Sequence, residues 1–323
     1  MTSAWSALVL IASATALLAS PPAFTGYHAI DSLVQTPDSI PHLAIREWSE
    51  GRTRLVLTVN PAEMSTSVMS MESLTVDTTV HSGIPERLST TRYLRALSAA
   101  KLDSSAIQDA GITHFFPKHE GIDLTVDLCP SHKPLDRALF STLTTAMGRV
   151  ERPVPLAVAI TGRWIFEHEA DLRWLKGLID SGAISVTWIN HSFNHTVAKN
   201  QKIRSNFLLA KGTNLHHEIL HNEVVMLRNG LTPSVFFRFP GLVSDPAVYD
   251  SVVAVGLIPV GTDAWLAKNQ WPTDGSIVLV HGNGNEPLGV KRFIKLLKDK
   301  ESSITSKSWL LMDLRETVVD SAQ

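Results

Sequence analysis

Cysteine is almost absent from this chain of 323 residues: Cys129 stands alone, which excludes an internal disulfide framework. An excess of either charge is missing too. Lys and Arg number 29 against 31 Asp and Glu, a formal net charge of −2, so the electrostatic footprint of a nucleic-acid binder is lacking. No basic run marks a polybasic membrane patch. Past the first 23 residues no stretch is long and apolar enough to span a bilayer. What is present, 44% hydrophobic and 19% charged residues, is the composition of a globular protein.

The start of the chain is distinctive. Ala7 to Ser20 read ALVLIASATALLAS and precede Pro21-Pro22, a short apolar run like the core of a secretory signal, although no Lys or Arg comes before it. Residues 1–23 are expected to form a signal peptide or an N-terminal anchor. The protein is then expected to be exported, to the periplasm, the cell envelope or the medium. Residues 24–120 read as an extension without a motif. Strands are expected at 43–47 and 54–59 around a turn at Glu50-Gly51, and a helix at 92–108 with Thr90 or Thr91 as its N-cap.

From residue 121 to residue 314 a rhythm sets in, leaving 315–323 as a tail. Short β-rich runs recur at 122–127, 156–160, 183–189, 234–238, 257–260 and 277–280. Helical stretches lie between them at 135–147, 169–181, 214–229 and 245–255. Alternation of this kind builds parallel βαβ units, and strands apolar on both faces are those covered on both sides. Six such units imply a barrel-like α/β fold, in which chemistry gathers where strands end. Asp127, His191, Arg238, Asp263 and His281 each stand at or just past the end of an expected strand. They are expected to converge on one rim.

His191 and His195 lie four residues apart in HSFNH, so one helical turn would let both face a divalent ion. Two imidazoles suit zinc, cobalt, nickel or iron. With TVDLC at 125–129, RFPG at 238–241, DAW at 263–265 and LVH at 279–281, the order of motifs resembles the polysaccharide deacetylase (NodB-like) family. The resemblance implies a distorted (β/α) barrel that removes acetyl groups from a carbohydrate, such as an N-acetylhexosamine polymer or glycolipid. It implies a metal, zinc foremost, on His191 and His195, with Asp127 as base and His281 as acid. Arg238 would hold Asp127 ionised, and Asp263 would orient His281. Pro240, Gly241 and Trp265 would face the sugar.

One position departs from the family pattern. Where a second, metal-binding aspartate commonly follows the first, Leu128 stands here. Either the ion is held by two histidines and water, or Asp127 ligates it, or another carboxylate such as Asp136 substitutes. Asp136 also fits as a helix N-cap. Cys129 is a soft donor that reads more simply as a buried thiol. A carbohydrate-binding relative without turnover is the remaining option. A competing motif is His217-Glu218-Ile219-Leu220-His221, the HExxH of zinc peptidases. At ~100° per residue its two histidines fall outside the apolar face and share a stripe with Arg228, as on a polar helix surface. The stretch Gly282-Asn283-Gly284-Asn285 lacks the lysine of a phosphate loop and reads as a flexible rim beside His281.

Overall fold

The computed structural model describes residues 23–76, 86–101, 107–115 and 119–317. The expected leader, apart from Ala23, and the last six residues of the tail lie outside them. No helix among the described residues is long and apolar enough to cross a membrane.

The first strands pair antiparallel. β1 (Phe24–Gln35), β2 (Pro41–Glu50), β3 (Thr53–Val59), β4 (Thr66–Ser70) and β5 (Thr75–Val76) make one sheet in the order β4-β3-β2-β1-β5. The expected turn joins β2 to β3, with Gly51 at φ 61° supplying the left-handed step. Of the helix expected at 92–108, Arg92–Ala100 is helical, 107–108 are not, and 102–106 lie outside the described residues. Farther along, a Cβ at Gly111 would stand 2.3 Å from the Pro259 carbonyl oxygen, so residues 107–115 run against neighbouring backbone. Ile112 bridges Val260 and His114 bridges Ser276.

The second sheet comprises β6 (Gly121–Leu128), β7 (Val154–Ile160), β8 (Ile184–Asn190), β9 (Phe236–Phe237), β10 (Ile258–Pro259), β11 (Ala264–Trp265), β12 (Ile277–His281) and β13 (Leu310–Leu311). Its order is β10-β9-β8-β7-β6-β12-β11, with β13 also on β6, and every pairing is parallel. The sheet curls as the expected α/β barrel does, and among the described residues β10 and β11 stand at its two edges without pairing each other, an open half-barrel. Residues 107–115 lie along that opening through their bridges to both sides.

Side chains on β6 sort by alternation, because successive residues of a strand point to opposite faces. Leu124, Val126 and Leu128 belong to the core layer that also holds Leu139, Leu143, Phe293 and Leu297 from helices Arg137–Met147 and Pro287–Asp299. Thr125 and Asp127 face the other way. A second core layer joins Leu43, Ile45, Trp48 and Leu57 of the antiparallel sheet to Ala157, Ile189, Phe236 and Val252 of the α/β part. The extension therefore shares a core with the parallel sheet.

Candidate metal and acid–base site

The strand ends do converge. Asp127 and His281 are register partners on the neighbouring strands β6 and β12. His191 follows β8, and Arg238 follows β9. The Arg238 guanidinium is fully buried: Nη1 meets Asp127 Oδ1 at 3.4 Å, and Nη2 donates to Thr125 Oγ1 at 3.0 Å and to the Gly261 carbonyl at 3.1 Å. His191 Nε2 lies 3.6 Å from Asp127 Oδ2 and 3.4 Å from Cys129 Sγ. Its Nδ1 stands 2.8 Å from the Arg238 carbonyl oxygen, which can only accept, so Nδ1 carries the proton and Nε2 is left with a lone pair. Burial holds the His191 pKa below its ordinary value, which keeps the ring neutral as a metal donor must be.

HSFNH is not helical, as the spacing had led one to expect. Ser192 and His195 take left-handed backbone, φ 64° and 47°, and this brings the His191 and His195 rings to 4.8 Å between centroids. Left-handed conformations at residues other than glycine are costly and cluster at functional sites. The loop is held from outside. Glu218, nine-tenths buried, accepts from Asn194 N at 2.8 Å and from Asn194 Nδ2 at 2.7 Å. That occupies the glutamate of the HExxH motif in holding the other histidine motif. His217 and His221 stack on each other at 4.6 Å and pack on Phe193. Among the described residues no third donor joins them.

Asp263 stands elsewhere than expected. Its Oδ2 meets His114 Nδ1 at 2.6 Å, and its Oδ1 accepts from Ile277 N at 3.1 Å, so it ties residues 107–115 to the start of β12. The carboxylate beside His281 is Glu286, whose Oε2 lies 2.9 Å from Nδ1, although off the direction of a good hydrogen bond. Trp265 Nε1 donates to the same oxygen at 2.7 Å, with its ring 5.8 Å from that of His281. Burial alone would lower the His281 pKa; Cys129, Glu286 and Asp127 together raise it well above the ordinary value. In the sequence Glu286 stands out only as a downstream glutamate that could complete a zinc site with the HExxH motif, not as a partner of His281, which it reaches because the chain turns back after β12.

Gly241 and Trp265 line the cavity that opens over these groups, about 270 Å³ in volume, together with Phe207 and Leu279. Pro240 is buried and does not line the cavity. Gly241 is left-handed, and a Cβ on it would sit 2.4 Å from the Phe207 ring. A larger groove of about 690 Å³ runs past Thr145 and Leu297, but no histidine, cysteine or carboxylate pair lines it.

Two groups of donor atoms close enough to hold an ion occur among the described residues: Cys129 with His191 and His195, and Asp127 with Cys129 and His281. This donor set fits a borderline-soft divalent metal. Cys129 is common to both groups. Burial pushes its thiol up, but His195 and His281 outweigh that and bring it to about 7. Asp136 is the N-cap of its helix, accepting from Leu139 N, and so is no ligand. The glycine- and asparagine-rich stretch is anchored: Asn283 is fully buried and its Nδ2 donates to the Cys129 carbonyl at 2.8 Å.

No family model matches the chain. Similar solved structures include a family 4 carbohydrate esterase from Bacillus anthracis, 18% identical over 74% of this chain and 96% of that one, with a TM-score of 0.48. A family 4 carbohydrate esterase from Streptomyces lividans, solved with acetate, is 16% identical over 61% and 95%, TM-score 0.42. A CE4 family pseudoenzyme from Bacillus anthracis is 12% identical over 66% and 70%, TM-score 0.45.

Proposed function

We propose that this chain is an exported, metal-dependent carbohydrate deacetylase that hydrolyses an acetyl group from an N-acetylhexosamine polymer or glycolipid. The observation that carries the reading is one cavity onto which Asp127, His281, His191 and His195 all open. A divalent ion, zinc by the chemistry of its donors, would supply Lewis acidity toward the acetyl carbonyl.

The remaining work falls to the chain's own groups. Asp127, paired with Arg238, accepts the proton of the attacking water. Arg238 cannot give up its charge, so it keeps that carboxylate in place. His281, on the adjacent strand, carries a proton at its raised pKa and delivers it to the departing nitrogen. Glu286 keeps His281 charged from behind. Trp265 offers an aromatic face beside His281 for a sugar ring, and its Nε1 is already engaged by Glu286. The apolar run Ala7 to Ser20, with the pattern of a secretory signal core, supports export.

The test is acetate release from a panel of acetylated oligosaccharides by the metal-loaded protein. Asp127→Asn should lower the rate by about 10²–10⁴-fold, the usual worth of a general base, and His191→Ala should abolish it. A folded, metal-loaded protein that releases acetate from none of the glycans would overturn the reading.

A further inference from the structure

The departure at Leu128 leaves the metal site without the carboxylate donor that the resemblance implies. On β6 the Leu128 side chain belongs to the outer core layer: a Cβ placed on Gly282 would touch Val126, Leu128 and Leu139 together. A carboxylate at 128 would therefore enter packed hydrocarbon. Position 129 continues the face of Thr125 and Asp127, and Cys129 lines the cavity.

We propose that Cys129 is the third protein ligand of the metal, completing a set with His191 Nε2 and His195. This rests on the metal-dependent reading above. Two donors on one tetrahedral zinc, at ~2.3 Å for sulfur and ~2.0 Å for nitrogen, stand about 3.5 Å apart. Cys129 Sγ and His191 Nε2 are 3.4 Å apart, and the three donor atoms lie within 4.8 Å of one another. The Arg238 carbonyl fixes the His191 ring with its bare nitrogen toward the sulfur, the outer support that metal-binding histidines usually have. Asn283 holds the Cys129 carbonyl from the other side. With the thiolate as ligand, Asp127 stays free for proton transfer. A thiolate also turns the site toward zinc and cobalt and away from magnesium, calcium and manganese.

The alternative is a thiol that merely shares a hydrogen bond with His191. Titrating the full chain with cobalt(II) separates the two. Ligation predicts a near-ultraviolet sulfur-to-cobalt charge-transfer band that Cys129→Ser and Cys129→Asp both lose. The aspartate variant should keep the visible cobalt bands, which shows that the site survives. Chelator competition should weaken zinc binding to Cys129→Ser by more than the ~10–100-fold typical of losing an outer-shell partner. Cobalt binding that needs His191 but shows no such band, with unchanged affinity in Cys129→Ser, overturns the ligand and leaves the metal reading intact. No metal binding by the unsubstituted chain overturns both.

Discussion

Two fully buried arginines pair with carboxylates in this molecule, and they are built differently. Arg46 of β2 donates through Nε and Nη2 to both oxygens of Glu223, at 2.7 and 3.0 Å, and through Nη1 to the carbonyls of Ile45 and Val255. Tyr27 adds a third hydrogen bond to Glu223, and among the described residues no polar atom of the trio is orphaned. Arg238 meets Asp127 through one nitrogen at 3.4 Å and leaves its Nε without a partner. Ser192 Oγ, next to His191, likewise has no hydrogen-bond partner among the described residues, whereas His281 Nδ1 faces Glu286 Oε2 at 2.9 Å. Satisfied networks fix structure, while a buried polar group left short of partners calls for another explanation than stability. The first pair locks the antiparallel sheet to the α/β part, and the second sits at the strand ends beside the cavity, where the proposed function places its base.

Removing Arg46 should break this contrast most visibly. Arg46→Ala strands Glu223 in the interior and should cost about 3–5 kcal/mol, the usual penalty for half of a buried pair. Chemical denaturation measures it, and a loss below about 1 kcal/mol would mean that the joint is no better than a surface pair. Its effect is not confined to stability, because Asn190 donates to Glu223 at 3.4 Å and accepts from Ser192 N at 3.1 Å.

Glu286→Gln sharpens the other side. The amide oxygen can still accept from Trp265, but the charge beside His281 is gone. Turnover should fall by about tenfold or more with KM and melting temperature nearly unchanged, and Glu286→Asp should recover part of the loss. A rise in KM alone would assign Glu286 to sugar binding through Trp265.

The smallest effect concerns neither pair. Burial pushes the Glu151 carboxyl up from 4.5 to about 7, against a partial offset from the Leu311 N–H. The folded state then holds a proton that the unfolded chain releases at lower pH. Stability from this group is present below about pH 4.5 and is lost as pH rises through about 7. Glu151→Gln should flatten that segment of the stability–pH curve in urea titrations, and an unchanged slope would remove Glu151 as its source.

The long parallel strands were legible because they are buried on both faces and read as unbroken apolar runs; β6, β7 and β8 lie within two or three residues of their expected bounds. The short strands β11 and β13 were not, since two residues carry no periodicity. Helix Pro287–Asp299 went unread although proline at its first turn and an apolar stripe mark it. At the site, Asp127, His191, His195, Arg238 and His281 follow from strand ends and motif order. Glu286 and Glu218 do not, because each acts across a loop whose path only the folded chain reveals. Cys129 was within reach: the alternation that makes 125 and 127 face one way continues to 129.

That alternation also says how β6 can change over time. Its even positions answer to volume, since Leu124, Val126 and Leu128 fill a packed layer that tolerates one aliphatic for another. Its odd positions Thr125 and Asp127, continued by Cys129 just past the strand end, carry polar or donor atoms, so that a swap of equal size there changes chemistry rather than volume. The parity of a substitution on this strand should foretell whether it shows up in melting curves or in turnover.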